Sequence, residues 1–104
     1  MAQFHHFGVP SSTRQENEIH IEGAKVYITD AESHPYRVEF LRFEDDSPMH
    51  ADVINNPHAA FMVDDLAAEL EGKNVIIEPF EATETLRVAF IKDDEAVIEL
   101  METI

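Results

Sequence analysis

The chain has 104 residues, 44% of them hydrophobic and seven of them Phe, which is enough for one packed domain and too apolar for disorder along the whole length. Its formal net charge of −15 opposes a phosphate backbone and argues against a nucleic-acid partner. With no cysteine present, disulfides, thiolate metal sites and thiol nucleophiles are all excluded, and any metal must be held by imidazole and carboxylate.

The first residues, Met-Ala-Gln-Phe-His-His, have neither the basic start nor the apolar run of a signal peptide, and no apolar stretch is long enough to span a membrane. The expectation is a soluble, cytoplasmic protein. Residues 4–9 form a β-like run that stops at Pro10, which cannot donate to a sheet ladder. Residues 11–18 are polar, and Ser11 or Ser12 could cap a turn of helix, but no apolar stripe follows to hold a long one. Residues 19–22 alternate as a short strand ending at Gly23, and residues 24–30 have strand composition before a turn through Ser33 and Pro35.

Residues 36–43 form the next strand, whose alternation puts Glu39 among large apolar neighbours. An acidic connector, residues 44–56, ends in the Asn55-Asn56-Pro57 turn signal and reads as the seam between two halves. After it come a strand over residues 58–63, a helix capped by Asp64 with Leu66 and Leu70 on one face, and Gly72 at the expected stop. A strand over residues 73–78 is expected to end at Pro79, with a loop over residues 80–85. The last two strands, residues 86–92 and 95–102, flank an Asp93-Asp94 turn.

Laid side by side, the halves share a pattern. His6-Phe7-Gly8-Val9 matches His58-Ala59-Ala60-Phe61, with a small residue two places after each His. Val26-Tyr27-Ile28-Thr29-Asp30 matches Ala89-Phe90-Ile91-Lys92-Asp93, and Val38-Glu39-Phe40-Leu41 matches Ile98-Glu99-Leu100-Met101. This is a β-α-β-β-β unit used twice, with module one at about residues 1–44, the connector at 45–56 and module two at 57–104. The shorter His-to-Glu spacing in module one predicts that its helix is truncated or replaced by the polar turn at residues 11–17.

A metal site needs ligands converging from several elements, because one strand offers same-side positions only at every second residue. His6, Glu39, His58 and Glu99 come from four different strands, and a carboxylate in an apolar strand costs several kcal/mol to bury unpaired, on the order usual for such groups. Taken singly, His58 after Pro57 is more often a strand-end surface histidine, and either Glu could face water; the matched slots favour a site. Two imidazoles and two carboxylates suit zinc, nickel, iron(II) or manganese, with positions left for a ligand. His5 and His6 should point to opposite faces of a strand, so one alone joins the site. Gly8, matching Ala60, selects His6, and a register change of one would exchange the two. His20, His34 and His50 receive no role. Asp45-Asp46, Asp64-Asp65 and Asp93-Asp94 read as turns and caps.

These residues resemble the vicinal oxygen chelate superfamily, which includes glyoxalase I, bleomycin-resistance, fosfomycin-resistance and extradiol dioxygenase proteins. The resemblance is strongest over Pro-His-Ala-Ala-Phe-Met-Val-Asp-Asp-Leu, Val-Ala-Phe-Ile-Lys-Asp-Asp and Val-Ile-Glu-Leu-Met-Glu, and it continues through His-Phe-Gly-Val and Arg-Val-Glu-Phe-Leu. It implies an α+β fold in which two βαβββ modules form an incompletely closed mixed sheet, and it fills four ligand slots with His6, Glu39, His58 and Glu99. It also implies a metal-dependent lyase or isomerase acting on a small oxygen-chelating compound, with Glu99 or Glu39 as the proton-abstracting base. The alternative is a non-catalytic small-molecule-binding module of the bleomycin-resistance kind. No set of residues matches a glutathione site, Arg14 and Arg37 being the nearest cations. A helix missing from module one would leave apolar sheet uncovered, which predicts a homodimer.

Overall fold

Two strands carrying a histidine and a small residue two places apart run through the middle of the molecule, and the remaining strands add outward from them. In the computed structural model, which describes residues 2–104, β1 (Gln3–Pro10) and β5 (His58–Met62) pair antiparallel, with Gly8 facing His58 and His6 facing Ala60. Each takes a parallel neighbour. β4 (Val38–Phe43) lies along β1 with Glu39 beside Gly8, and β8 (Ala96–Thr103) lies along β5 with Glu99 beside Ala60.

β2 (Ile19–Ile21) and β3 (Val26–Ile28) extend one flank, and β6 (Val75–Thr83) and β7 (Leu86–Asp93) extend the other. The result is one curled eight-stranded mixed sheet in the order β2-β3-β4-β1-β5-β8-β7-β6, an incompletely closed α+β fold. Its two α-helices are short, α1 (Ala51–Asn55) and α2 (Leu66–Leu70), and among the described residues no helix is long and apolar enough to cross a membrane.

Strand alternation divides the core. Along β8, Leu100 packs with Leu66, Ala89 and Ile91 beneath α2, with Ile98 against that cluster. The intervening Val97 and Met101 pack with Val53, Ala60, Val88 and Phe90 on the opposite face. Glu99 shares that second face by the period of the strand, which puts a carboxylate into apolar surroundings.

Module one has no helix between its first two strands; residues 11–18 are turn and extended chain, as the polar composition predicts. Cross-strand register corrects one part of the repeat. Ile28 faces Leu41 as Val88 faces Met101, so Val26-Tyr27-Ile28 corresponds to Leu86-Arg87-Val88 and not to Ala89-Phe90-Ile91. Alternating apolar segments match one another at several offsets, and only their pairing chooses among them.

Four local expectations also change. The connector contains α1, capped by the His50 side chain accepting from Asp52 N at 3.0 Å and anchored by the fully buried Val53. The cap of α2 is Asp65, which accepts from Ala68 N at 3.2 Å, rather than Asp64. β6 runs through Pro79 to Thr83 because it is the edge strand, where a missing N–H need not break a ladder and where the register shifts between Ile77 and Phe80. β3 and β4 start later than their composition predicts, since Lys25 and Arg37 adopt left-handed conformations just before them, at φ 49° and 58°.

Candidate metal centre

The central four strands place one ligand candidate each on the same face. His6 from β1, Glu39 from β4, His58 from β5 and Glu99 from β8 each offer a donor atom, and these atoms all lie within 4.8 Å of one another. His6 Nε2 is 3.4 Å from Glu39 Oε1 and 3.5 Å from Glu99 Oε1, and His58 Nε2 is 3.1 Å from Glu99 Oε1. Ligands bound at about 2.0–2.2 Å to one ion stand roughly 3–3.5 Å from their neighbours, so the spacing suits a single cation at the centre.

The electrostatics point the same way. Burial opposes a charge on His6 most strongly, but the carboxylates of Glu39 and Glu99 outweigh it and push the imidazole up from 6.5 to about 9. Burial likewise works against an ionised Glu99, yet His58 and His6 draw it down from 4.5 to about 2. A pair of carboxylates facing two imidazoles in a closed site has an excess of negative charge, which a divalent cation balances. At 3.4 and 3.5 Å the carboxylates are close to His6 Nε2 without hydrogen-bonding it, and that buried nitrogen has no hydrogen-bond partner among the described residues. An orphaned imidazole nitrogen aimed between two carboxylates is a ready ligand. The group is largely enclosed: the His58 side chain is 1% exposed, and Glu39, the most open of the four, 15%.

The small residue two places after His6 now has a physical reason. Because β1 and β5 are antiparallel, Gly8 lies opposite His58, and a Cβ there would collide with Cε1 and Nε2 of its ring. Gly8 is what lets His58 lie flat across β1 and reach Glu99. The edge of the Phe90 ring supports it from the other side, with centroids 5.2 Å apart.

His6 and not His5 faces the centre. His5 is still not a detached neighbour, because the register of β1 against β5 shifts between Phe4 and His6, and the irregularity lets the two rings meet with their Nδ1 atoms 2.7 Å apart. The remaining histidines lie elsewhere: His20 bonds Glu44 at 2.8 Å, His34 Nδ1 accepts from Tyr36 N, and His50 caps α1. Of the cationic candidates, Arg37 donates through Nε to the His5 carbonyl at 2.5 Å, and Arg14 lines a surface cavity with Glu16, Glu18 and Tyr27. Neither reaches the four-residue group. An apolar cleft of about 490 Å³ lies on the α2 face, lined by Phe61, Ile91, Ile98 and Leu100, and is separate from the centre.

No family model matches the sequence, and no curated protein matches it. Among solved structures, the chain is similar to the hypothetical protein BH1468 from Bacillus halodurans C-125, with a TM-score of 0.72 and 18% identity over 97% of this chain and 94% of that one. That likeness is one of fold.

Proposed function

We propose that His6, Glu39, His58 and Glu99 hold a divalent metal ion and that the protein is a metal-dependent member of the vicinal oxygen chelate superfamily, of glyoxalase type. The observation that carries this is the convergence of four donors from four strands within 4.8 Å, one of them a buried imidazole nitrogen without a partner. Zinc, nickel, iron(II) and manganese all suit the donor set. The ion, when bound, supplies Lewis acidity toward neighbouring oxygens of a small carbonyl or hydroxy compound.

The chain's own residues then divide the work. Glu99 is the more enclosed carboxylate, lies 3.1 Å from His58 Nε2 and 3.5 Å from His6 Nε2, and serves as a ligand. Glu39 contacts one of those imidazoles and is the more exposed carboxylate, which leaves it as the base that removes a proton from the bound compound in a lyase or isomerase reaction. The enclosure of the four side chains, with Glu39 the most open at 15% exposed, supports a second reading, a non-catalytic module that sequesters a small chelating molecule without proton transfer. Turnover separates the two, since the second predicts stoichiometric protection of a ligand and no product.

Elemental analysis of protein purified without added metal, beside the His58→Ala/Glu99→Ala variant, tests the core of the proposal. The expected result is close to one divalent ion per chain, lost in the double variant; equal metal content in both would sink it. A homodimer belongs to the same proposal. Phe4 and Phe7, 45% and 50% exposed, lie against each other with tilted rings 4.8 Å apart on the sheet where module one lacks a helix, and a second copy would cover them. Sedimentation of the wild type as a monomer at micromolar concentration would refute that part alone.

A further inference from the structure

The two imidazoles of the centre differ in what lies behind them. His58 Nδ1 is buried with no hydrogen-bond partner among the described residues, whereas His6 Nδ1 lies 2.7 Å from His5 Nδ1. A metal-bound imidazole can keep only one ring proton, and the partner of the other nitrogen sets where that proton sits. If His6 binds through Nε2, its Nδ1 must carry the proton, and among the described residues the group at hydrogen-bond distance there is His5.

We propose that His5 is a positioning residue for the ligand His6, its Nδ1 accepting the Nδ1–H of His6 and so fixing the tautomer and ring angle that leave His6 Nε2 free for the metal. The role rests on the four-residue group being a metal site. It fixes the second ring as well: with Nδ1 as acceptor, His5 carries its own proton on Nε2, which faces Glu32 Oε2 at 3.5 Å. The chain of groups then runs from the surface carboxylate of Glu32, through His5, to His6 and the centre.

Regular strand geometry forbids this contact, because adjacent side chains point to opposite faces. The register shift in β1 removes the obstacle, and Arg37 secures it. The Arg37 side chain donates to the His5 carbonyl at 2.5 Å, and its own carbonyl accepts from Phe7 N at 2.9 Å, so the backbone is held on both sides of His6. The two rings meet nearly edge to face, with centroids 5.0 Å apart and planes at 81°.

Zinc affinity measured by competition with a chromophoric chelator tests the role. His5→Phe keeps a ring and removes the acceptor, and should weaken zinc binding by about 10-fold or more, whereas His5→Gln, which restores an acceptor, should recover most of the loss, to within about 3-fold of wild type. His5→Phe binding as tightly as wild type, or His5→Gln as weak as His5→Phe, would overturn the role while leaving the metal site standing. A wild type that binds no zinc, nickel, iron(II) or manganese overturns the metal site and this role with it. Where His5→Phe does not fold, nitrogen NMR of the wild type decides: a coupling between the Nδ1 atoms of His5 and His6 across a shared proton is expected, and its absence from a folded sample overturns the proposal.

Discussion

In the half of the sheet that begins with β5, the histidine is fixed by packing and by its 3.1 Å hydrogen bond with Glu99. His58 lies against Gly8 and Phe90, and the sheet behind it is backed by α2 through Leu66. In the half that begins with β1 there is no such helix among the described residues, Phe4 and Phe7 stay exposed, and the histidine is held by its contact with a neighbouring ring, His5, that accepts from it. The parallel pairings are nevertheless the same, Gly8 beside Glu39 and Ala60 beside Glu99. The positions of the four candidate residues therefore follow from the central strands, and the helices are free to differ because they only cover what those strands leave apolar.

The largest effect that would expose this difference is expected at Leu66. It is almost fully buried, and Leu66→Ala should cost about 2–5 kcal/mol in a urea titration, while leaving the ratio of metal to folded protein unchanged. A loss of metal from the still-folded variant would show that α2 holds the site directly. Next comes Gly8→Ala, which forces the His58 ring to move and should cost about 1–3 kcal/mol of stability. Its effect on metal affinity should be larger than that of Ala60→Gly on the mirror position, and equal effects would mean that the two histidines are held alike.

Acidity separates the halves through protons. In metal-free protein, the stabilisation from the raised His6 is complete below its ordinary 6.5 and disappears as pH rises through 9. That from the depressed Glu99 is present above 4.5 and disappears as pH falls toward 2. The denaturation midpoint should thus be highest between these limits and fall on both sides. Added zinc should abolish the alkaline decline, because the ion takes the place of the His6 proton; a decline unchanged by zinc would argue that His6 is not a ligand. The smallest effect expected is at the α2 cap, where Asp65→Ala should lower stability by about 1 kcal/mol without touching the metal.

The four candidate residues were legible because alternation within a strand is local, and a carboxylate in the same slot of two matching segments is hard to explain by the core alone. What hid the rest was also physical. Helix α1 lacks a capping Ser, Thr, Asp or Asn, so His50 gave no signal, and its short length leaves no periodic stripe beyond Met49, Val53 and Ile54. Pro79 reads as a strand end unless the strand is known to lie at the sheet edge.

Alternation and the twin His and Glu slots determined the strand segments and the ligand candidates, since each depends on residue type and spacing along one segment, and the resemblance they carry implied the incompletely closed α+β sheet. Cross-strand register decided the rest. It set the offset between the repeats, laid His58 over Gly8, and turned His5 from an outward neighbour into the partner of His6. Pairing between segments far apart in the chain is fixed by the sum of many weak contacts, and no single segment encodes it.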